Sequence, residues 1–229
     1  MVDILLLLAA SISGGFVDAI VGGGGLITVP ALFSVYPSEL PATLLGTNKG
    51  AAFCGTSLAA RQYALRVKLD MHLLWRPALL ALVGSAFGAW LVTVVPPAGL
   101  RKLMPLILLL VLLYTLSKKD FGAHQLVATV TRRQQHLRAS AIGLLIGVYD
   151  GFFGPGTGSF FMFLFVKLLG YDFLQASASA KLLNMATNMA AIAAPTAAGS
   201  RRPASTKSSS SLGTDRPTRA STKASSPAR

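Results

Sequence analysis

The stretch "GGFVDAIVGGGG", residues 14–25, sets one carboxylate, Asp18, in a run that is otherwise apolar or glycine, and ends it on four consecutive glycines. A flexible linker, a phosphate loop and a broken membrane helix would all produce such a string. A phosphate loop needs lysine after its last glycine, and Leu26 stands there. A dinucleotide fingerprint starting at Gly22 would need glycine at Ile27. A soluble linker would not lie between two apolar segments. What remains is an interrupted helix, because each glycine in a helix interior costs about 1 kcal/mol relative to alanine. Irregular backbone at membrane depth is tolerated only where protein covers it or it lines a water-filled cavity.

Composition supports the membrane reading. The 229 residues are 52% hydrophobic and only 13% charged, about half the charge of an ordinary soluble domain. The net charge of +13 has two sources. Residues 1–194 hold 14 Lys+Arg against 7 Asp+Glu, and residues 195–229 hold 7 against 1. The high pI is therefore no nucleic-acid signal, and no nucleic-acid partner is expected. A bilayer crossing needs about 20 apolar residues. His72–Val95 meets this, with Trp75 at interface level, and so does Leu100–Ser117. Ser140–Leu169 is long enough but interrupted by "YDGFFGPGTGS". Thr43–Ala60 and Phe173–Ala194 are less hydrophobic, and each carries a lysine. The fold class is all-α: a polytopic helical membrane protein with discontinuous or re-entrant helices, and the lipid bilayer is its first partner.

Lysine and arginine cluster in the 61–71 loop and the 118–138 loop, which the positive-inside rule makes cytoplasmic. Two crossings separate them, as that requires. Pro96, Pro97 and Gly99 then form the outer turn, beside which Arg101 and Lys102 are out of keeping. The N-terminus has the apolar core of a signal peptide but carries Asp3 where a basic region belongs. Cys54, the single cysteine, reads as a small packing residue.

The chain repeats itself. Shifted by 132 residues, "FVDAIVGGGGLITVPAL" aligns with "VYDGFFGPGTGSFFMFL", so Asp18 meets Asp150, Gly22 meets Gly154 and Gly24 meets Gly156. Lys49 in "GTNKG" meets Lys181 in "ASAKL" at the same offset. Two motifs and their separation recur together, which fits a transporter built from two halves. The organisation expected is a first membrane repeat over 1–117, the basic loop, a second repeat over 139–194, and a Ser/Thr/Pro-rich basic tail over 195–229. The repeat predicts further membrane helices from about residue 204, where the tail reads "RRPASTKSSSS". Two explanations stand: a natural basic tail lying on anionic lipid, or a truncated or frame-shifted chain whose last two helices are gone. The repeat favours the second.

Candidate substrate- or ion-binding residues follow from the repeat. Gly22, Gly23, Gly24 and Gly25, with Gly154, Pro155, Gly156 and Thr157, free backbone N–H groups and open new helix N-termini, both favourable to anions. Close packing of small residues would use the same glycines. Carboxylates in membrane segments are costly and need partners. Lys49 is the expected partner of Asp18, and Lys181 that of Asp150, as functional groups of an anion site or as ion pairs holding each half together. Lys181, Asn184 and Asn188 share one helix face, and Asn48 beside Lys49 supplies polarity at the matching place. The asparagines serve equally as glue between helices. His72, His124 and His136 lie at basic loops. No metal spacing and no nucleophile–base set appears, so neither an enzyme nor a cofactor is expected.

"GFVDAIVGGGGLITVPAL", "LGTNK" and "YDGFFGPGTGSF", in this order and spacing, resemble the TauE/SafE sulfite exporter family of bacterial membrane permeases, in its YfcA-like branch. The resemblance covers roughly residues 4–194. It implies a multi-helix inner-membrane protein with two homologous halves, carrying small anions such as sulfur oxyanions or organosulfonates; whether a coupling proton or ion is a further partner is not legible. The family pattern continues with further membrane helices where this chain turns polar. The competing expectation is a non-transporting membrane anchor or assembly protein whose basic tail binds lipid or a partner. Oligomeric state, substrate and direction are not legible. If residues 4–36 form a re-entrant hairpin the halves are inverted, and if they form two full spans the halves are parallel.

Overall fold

The computed structural model describes residues 1–117 and 131–199, and these fold into eight helices. They are α1 (Val2–Val21), α2 (Gly25–Val35), α3 (Pro41–Arg66), α4 (Met71–Val94), α5 (Pro97–Ser117), α6 (Arg132–Phe152), α7 (Thr157–Leu169) and α8 (Phe173–Gly199). Most of the basic loop and nearly all of the tail lie outside the described residues. Helix α8 itself runs to Gly199, past the boundary expected after Ala194.

The glycine runs break helices as their composition requires. Gly22 closes α1 in the left-handed region (φ 75°), its N–H donating to the Asp18 carbonyl. The chain restarts as α2 three residues later. In the second half Gly154 (φ 97°) and Gly156 (φ 82°) flank Pro155 between α6 and α7. At 11 and 13 residues, α2 and α7 reach only about 16–20 Å, too short for a hydrocarbon core of about 30 Å.

Contacts fix the direction of each element. A Cβ on Gly14 would meet Thr28, and one on Gly24 would meet Asp18, so α2 folds back along α1. Arg138 donates to the Leu168 carbonyl, so α7 likewise returns to the start of α6. Both pairs are helical hairpins. The two hairpins open at opposite ends of the bundle. Arg132 pairs with Asp70, placing the open end of α6–α7 at the turn between α3 and α4. Arg101, beside the α4–α5 turn, donates to the carbonyls of Pro37 and Glu39, placing the open end of α1–α2 there. Arg101, out of keeping in the sequence, thus fastens the 36–40 turn. Pro97 and Gly99 belong to α5 rather than to the turn, which shrinks to Val95 and Pro96 because proline is well placed at a first helical position.

Helices α3 and α8 cross the centre in opposite senses. Ser179, early in α8, lines a pocket with Lys68 and Asp70, whereas Ala191, late in α8, lines one with Gly46 and Val92. Shifted by 132, the bounds of α1–α3 fall within two residues of those of α6–α8. Helix α4 lies parallel to α6 at backbone contact: Cβ atoms on Gly143, Gly147 and Gly151 would run into Pro77, Ala81 and Ser85 in turn. Small residues at such a seam let helix backbones approach closely.

Two apolar cores follow. One gathers Leu73, Leu74, Phe161, Phe165 and Leu183 from α4, α7 and α8. The other joins Val29, Leu45, Val92, Leu100, Met104 and Phe153. The outer surface is apolar too, with Ile4, Leu8, Ile12 and Phe16 on α1 and Leu109, Leu110 and Leu113 on α5 all exposed. Such a surface suits hydrocarbon, and α1, α4 and α5 are each long and apolar enough to cross a membrane. Cys54 is exposed on α3, not a packing residue as its apolar setting suggested.

Asp70 also caps α4, accepting from the Leu73 N–H at 3.2 Å. Its hydrogen bond from Arg132 holds its carboxyl below the usual carboxylate range. A group with a depressed folded pKa stabilises above its unfolded value, and that contribution is lost as pH falls through the folded one. Asp70→Asn is therefore expected to be less stable than wild type at neutral pH, the gap closing only below about pH 4. Thermal unfolding in detergent across that range tests this; a gap that is independent of pH would refute it.

Candidate substrate site at two crossed helix breaks

The two hairpin tips meet backbone to backbone. A Cβ on Gly22 would lie 2.7 Å from Gly158, and one on Gly158 would lie 2.7 Å from Gly22. Ser159 seals the crossing, its hydroxyl donating to the Val21 carbonyl at 2.5 Å. Gly25 faces Pro155, with 3.1 Å from its virtual Cβ to the proline Cα. Gly22, Gly23, Gly24, Pro155, Gly156 and Thr157 are all buried here. Tyr149 steadies the second tip by donating to the Pro155 carbonyl at 2.6 Å, and Thr157 does so by donating to that of Gly154 at 2.6 Å.

The acids and lysines pair, but not as the sequence suggested. Lys49 contacts Asp150 at 2.5 Å and Lys181 contacts Asp18 at 2.7 Å. Each lysine thus reaches the hairpin of the other half, so the pairs hold the halves to one another and not each half to itself. Lys181 also donates to the Asp18 carbonyl at 2.5 Å, which it shares with the Gly22 N–H at the negative pole of α1. Lys49 lies against Gly154, where an added Cβ would sit 2.7 Å from the ammonium. Only glycine leaves that space.

Asp18 bridges the break in its own hairpin, accepting from the Gly24 N–H at 3.4 Å. The N-terminus of α2, expected to attract an external anion, is thus already attended by the chain's own carboxylate. Asp150 binds Lys49 through Oδ1, while its buried Oδ2 has no hydrogen-bond partner among the described residues.

Two cavities flank the crossing. One of about 210 Å³ is bordered by Asp18, Gly24, Gly25, Asn48 and Lys181. The other, of about 360 Å³, is bordered by Lys49, Gly46, Val92 and Gly151. Each opens onto one lysine. Asn48 accepts from Thr28 at 2.6 Å. Asn188 donates to Thr56 at 3.4 Å, and Asn184 is buried beside them. Sequence reasoning missed Thr28, Thr56, Tyr149 and Ser159. The signal for Thr56 was present, since it and Asn188 are 132 residues apart and touch each other, as residues at a two-fold centre must.

Opposed helix breaks and buried ion pairs inside an apolar-surfaced helical bundle are the architecture of a polytopic membrane protein of the transporter class. Residues 6–204 match the family described as Sulfite exporter TauE/SafE, and the chain belongs to that family. It is similar to a "Probable membrane transporter protein ORF9" of Sinorhizobium sp, 39% identical over 185 residues, 81% of this chain and 69% of that protein. It resembles a "Probable membrane transporter protein" of Haemophilus influenzae at 38% over 198 residues, 84% and 74% of the two chains. With the "Probable membrane transporter protein YfcA" of Escherichia coli K12 it shares 39% over 183 residues, 76% of this chain and 63% of the relative. No solved structure matches the chain.

Proposed function

We propose that the chain forms the substrate site of a secondary transporter for a small anion, a sulfur oxyanion or organosulfonate, in the bacterial inner membrane. The observation that carries this reading is the crossed pairing of two lysines with two carboxylates, each lysine bordering its own cavity beside the helix breaks. Lysine offers positive charge to an anion, and the paired carboxylate occupies that charge when the anion is absent. An arriving anion must displace the carboxylate, which leaves excess negative charge in a costly place unless a proton neutralises it. Asp18 and Asp150 are therefore the proton carriers, and Asp150 already has an oxygen to receive one. Glycines 22–25 and 154, Pro155, Gly156 and Thr157 supply the irregular backbone around the anion. Asn48, Asn184 and Asn188 line its path.

The two halves act as inverted-topology repeats, and rocking of one against the other exchanges access between the two cavities. The 61–71 and 118–138 loops face the cytoplasm by their charge. Support for this comes from the Asp70–Arg132 pair, which joins the ends of both loops at one end of the bundle.

Counterflow of labelled sulfite and taurine in proteoliposomes tests the proposal. Uptake is expected to rise as the external pH falls. Lys49→Gln and Lys181→Gln should abolish it, and Asp18→Asn combined with Asp150→Asn should leave residual uptake independent of pH. Uptake unaltered in all three variants would defeat the site. Absence of any anion flux in the wild-type chain would favour a non-transporting membrane anchor or assembly protein.

A further inference from the structure

A further cavity, of about 310 Å³, lies at the end of the bundle where the Asp70–Arg132 pair joins α4 to α6. Lys68, Arg132, Gln135, Tyr171, Gln175 and Ser179 border it. They come from four segments: the α3–α4 turn, the first turn of α6, the α7–α8 turn and the start of α8. The cavity shares no bordering residue with those at the crossing, and Ala176, Ala180 and Leu183, around Ser179 on α8, belong to an apolar core. It is a separate site from the two buried ion pairs.

Its walls offer donors in excess of acceptors. Asp70 also borders it, but both oxygens are engaged, Oδ1 by the Leu73 N–H and Oδ2 by Arg132. That pair uses one nitrogen of a guanidinium that carries five N–H donors. Lys68 is exposed and forms no ion pair among the described residues. Ser179 adds an independent observation from the interior. It is fully buried, and its Oγ has no hydrogen-bond partner among the described residues. Ser34, Thr47 and Thr115 each donate to the carbonyl four residues back in their helices, and Ser179 does not. Alanine occupies 176, 178 and 180 beside it, so packing does not call for the hydroxyl. A buried hydroxyl without an acceptor keeps its desolvation cost until one arrives.

We propose that this cavity binds a tetrahedral oxyanion of the phosphate type, with Lys68 and the unpaired nitrogens of Arg132 supplying charge at the mouth and Ser179 donating at the back. Two basic side chains exclude a cation. Donors that converge from four segments suit a group with four oxygens better than a planar carboxylate with two, and arginine with lysine is a phosphate-binding combination. Free phosphate and the headgroup of an anionic lipid both carry that group. Trp75, exposed one turn into α4, stands at the level where aromatic side chains meet headgroups.

The test melts the full chain in a neutral maltoside detergent across a phosphate titration, with chloride holding ionic strength constant. The melting temperature is expected to rise and saturate. Lys68→Gln should raise the half-saturating concentration about tenfold, and Ser179→Ala, which keeps the packing, about fivefold. Lys102→Gln removes the same charge from an exposed position at the other end of the bundle and should leave it unchanged. A second series uses dioctanoyl phosphatidylglycerol in place of phosphate, with dioctanoylglycerol, which lacks the phosphate, as its control. A saturable rise with phosphate assigns the site to the free ion, and one with phosphatidylglycerol alone assigns it to the headgroup. No saturable rise in either series overturns the proposal, as does an affinity indifferent to Ser179→Ala. Equal weakening by Lys102→Gln and Lys68→Gln also overturns it, since diffuse surface charge would then explain the binding. The readout needs no anion flux, so the transport reading and this one fail separately.

Discussion

Lys49→Met is expected to destabilise the protein by about 3–5 kcal/mol, because it leaves the Asp150 carboxylate buried without its partner. Lys181→Met should cost distinctly less, since the Asp18 side chain is 29% exposed against 1% for that of Asp150. Replacing both members, Lys49→Met with Asp150→Leu, should recover most of the loss, as buried pairs exchanged for apolar residues are often neutral. Equilibrium unfolding in mixed micelles measures all three. The cross-pairing makes a sharper demand through double-mutant cycles. Lys49 should couple strongly to Asp150 and negligibly to Asp18, although Asp18 is its neighbour within the repeat. The reverse order of coupling would refute the arrangement of the halves.

That result bears on transport as well as stability. If the pairs joined each half internally, breaking them would loosen a half without affecting how the halves move. Because they run between halves, each pair would be a latch across the interface in the proposed rocking cycle. On that proposal an anion competing for Lys49 or Lys181 would weaken the latch on its own side and so couple occupancy to movement.

Much of this was legible in the sequence. The glycine run, its proline-containing counterpart and the fixed offset of 132 located both helix breaks, and apolar length located α4 and α5. The offset also matched α3 with α8 before either could be recognised by hydropathy, since Lys49 and Lys181 depress it. What could not be read was direction. Period and composition are identical for a helix entering from either face, so whether α1–α2 spanned or turned back stayed open. The partners could not be read either, because spacing along the chain does not tell which half's acid a lysine reaches. Ser159 was invisible for a different reason: its partner, the Val21 carbonyl, is exposed as an acceptor only by the break itself.

Gly22→Ala is expected to be among the most damaging single-methyl additions in the chain. Two independent costs combine there. The left-handed backbone at φ 75° penalises a Cβ by about 1–2 kcal/mol. The same methyl would sit 2.7 Å from the Gly158 backbone, an overlap that overpacked sites relieve at about 1–3 kcal/mol. Gly15→Ala, seven residues earlier in α1, meets open space and should instead stabilise by about 0.5–1 kcal/mol, since alanine is the better helix former. The left-handed backbone alone makes the signs opposite, so it is a Gly22→Ala cost above about 2 kcal/mol that registers the crossing of the tips. Gly158→Ala lies in α7 without backbone strain, so it should cost only the overlap. The double variant should cost less than the sum, because once the tips have separated the second methyl finds room. Separation also breaks the Ser159–Val21 hydrogen bond, so Ser159→Ala should add little to Gly22→Ala while costing about 1 kcal/mol alone. Full additivity among the three would mean that the hairpin tips do not share one contact.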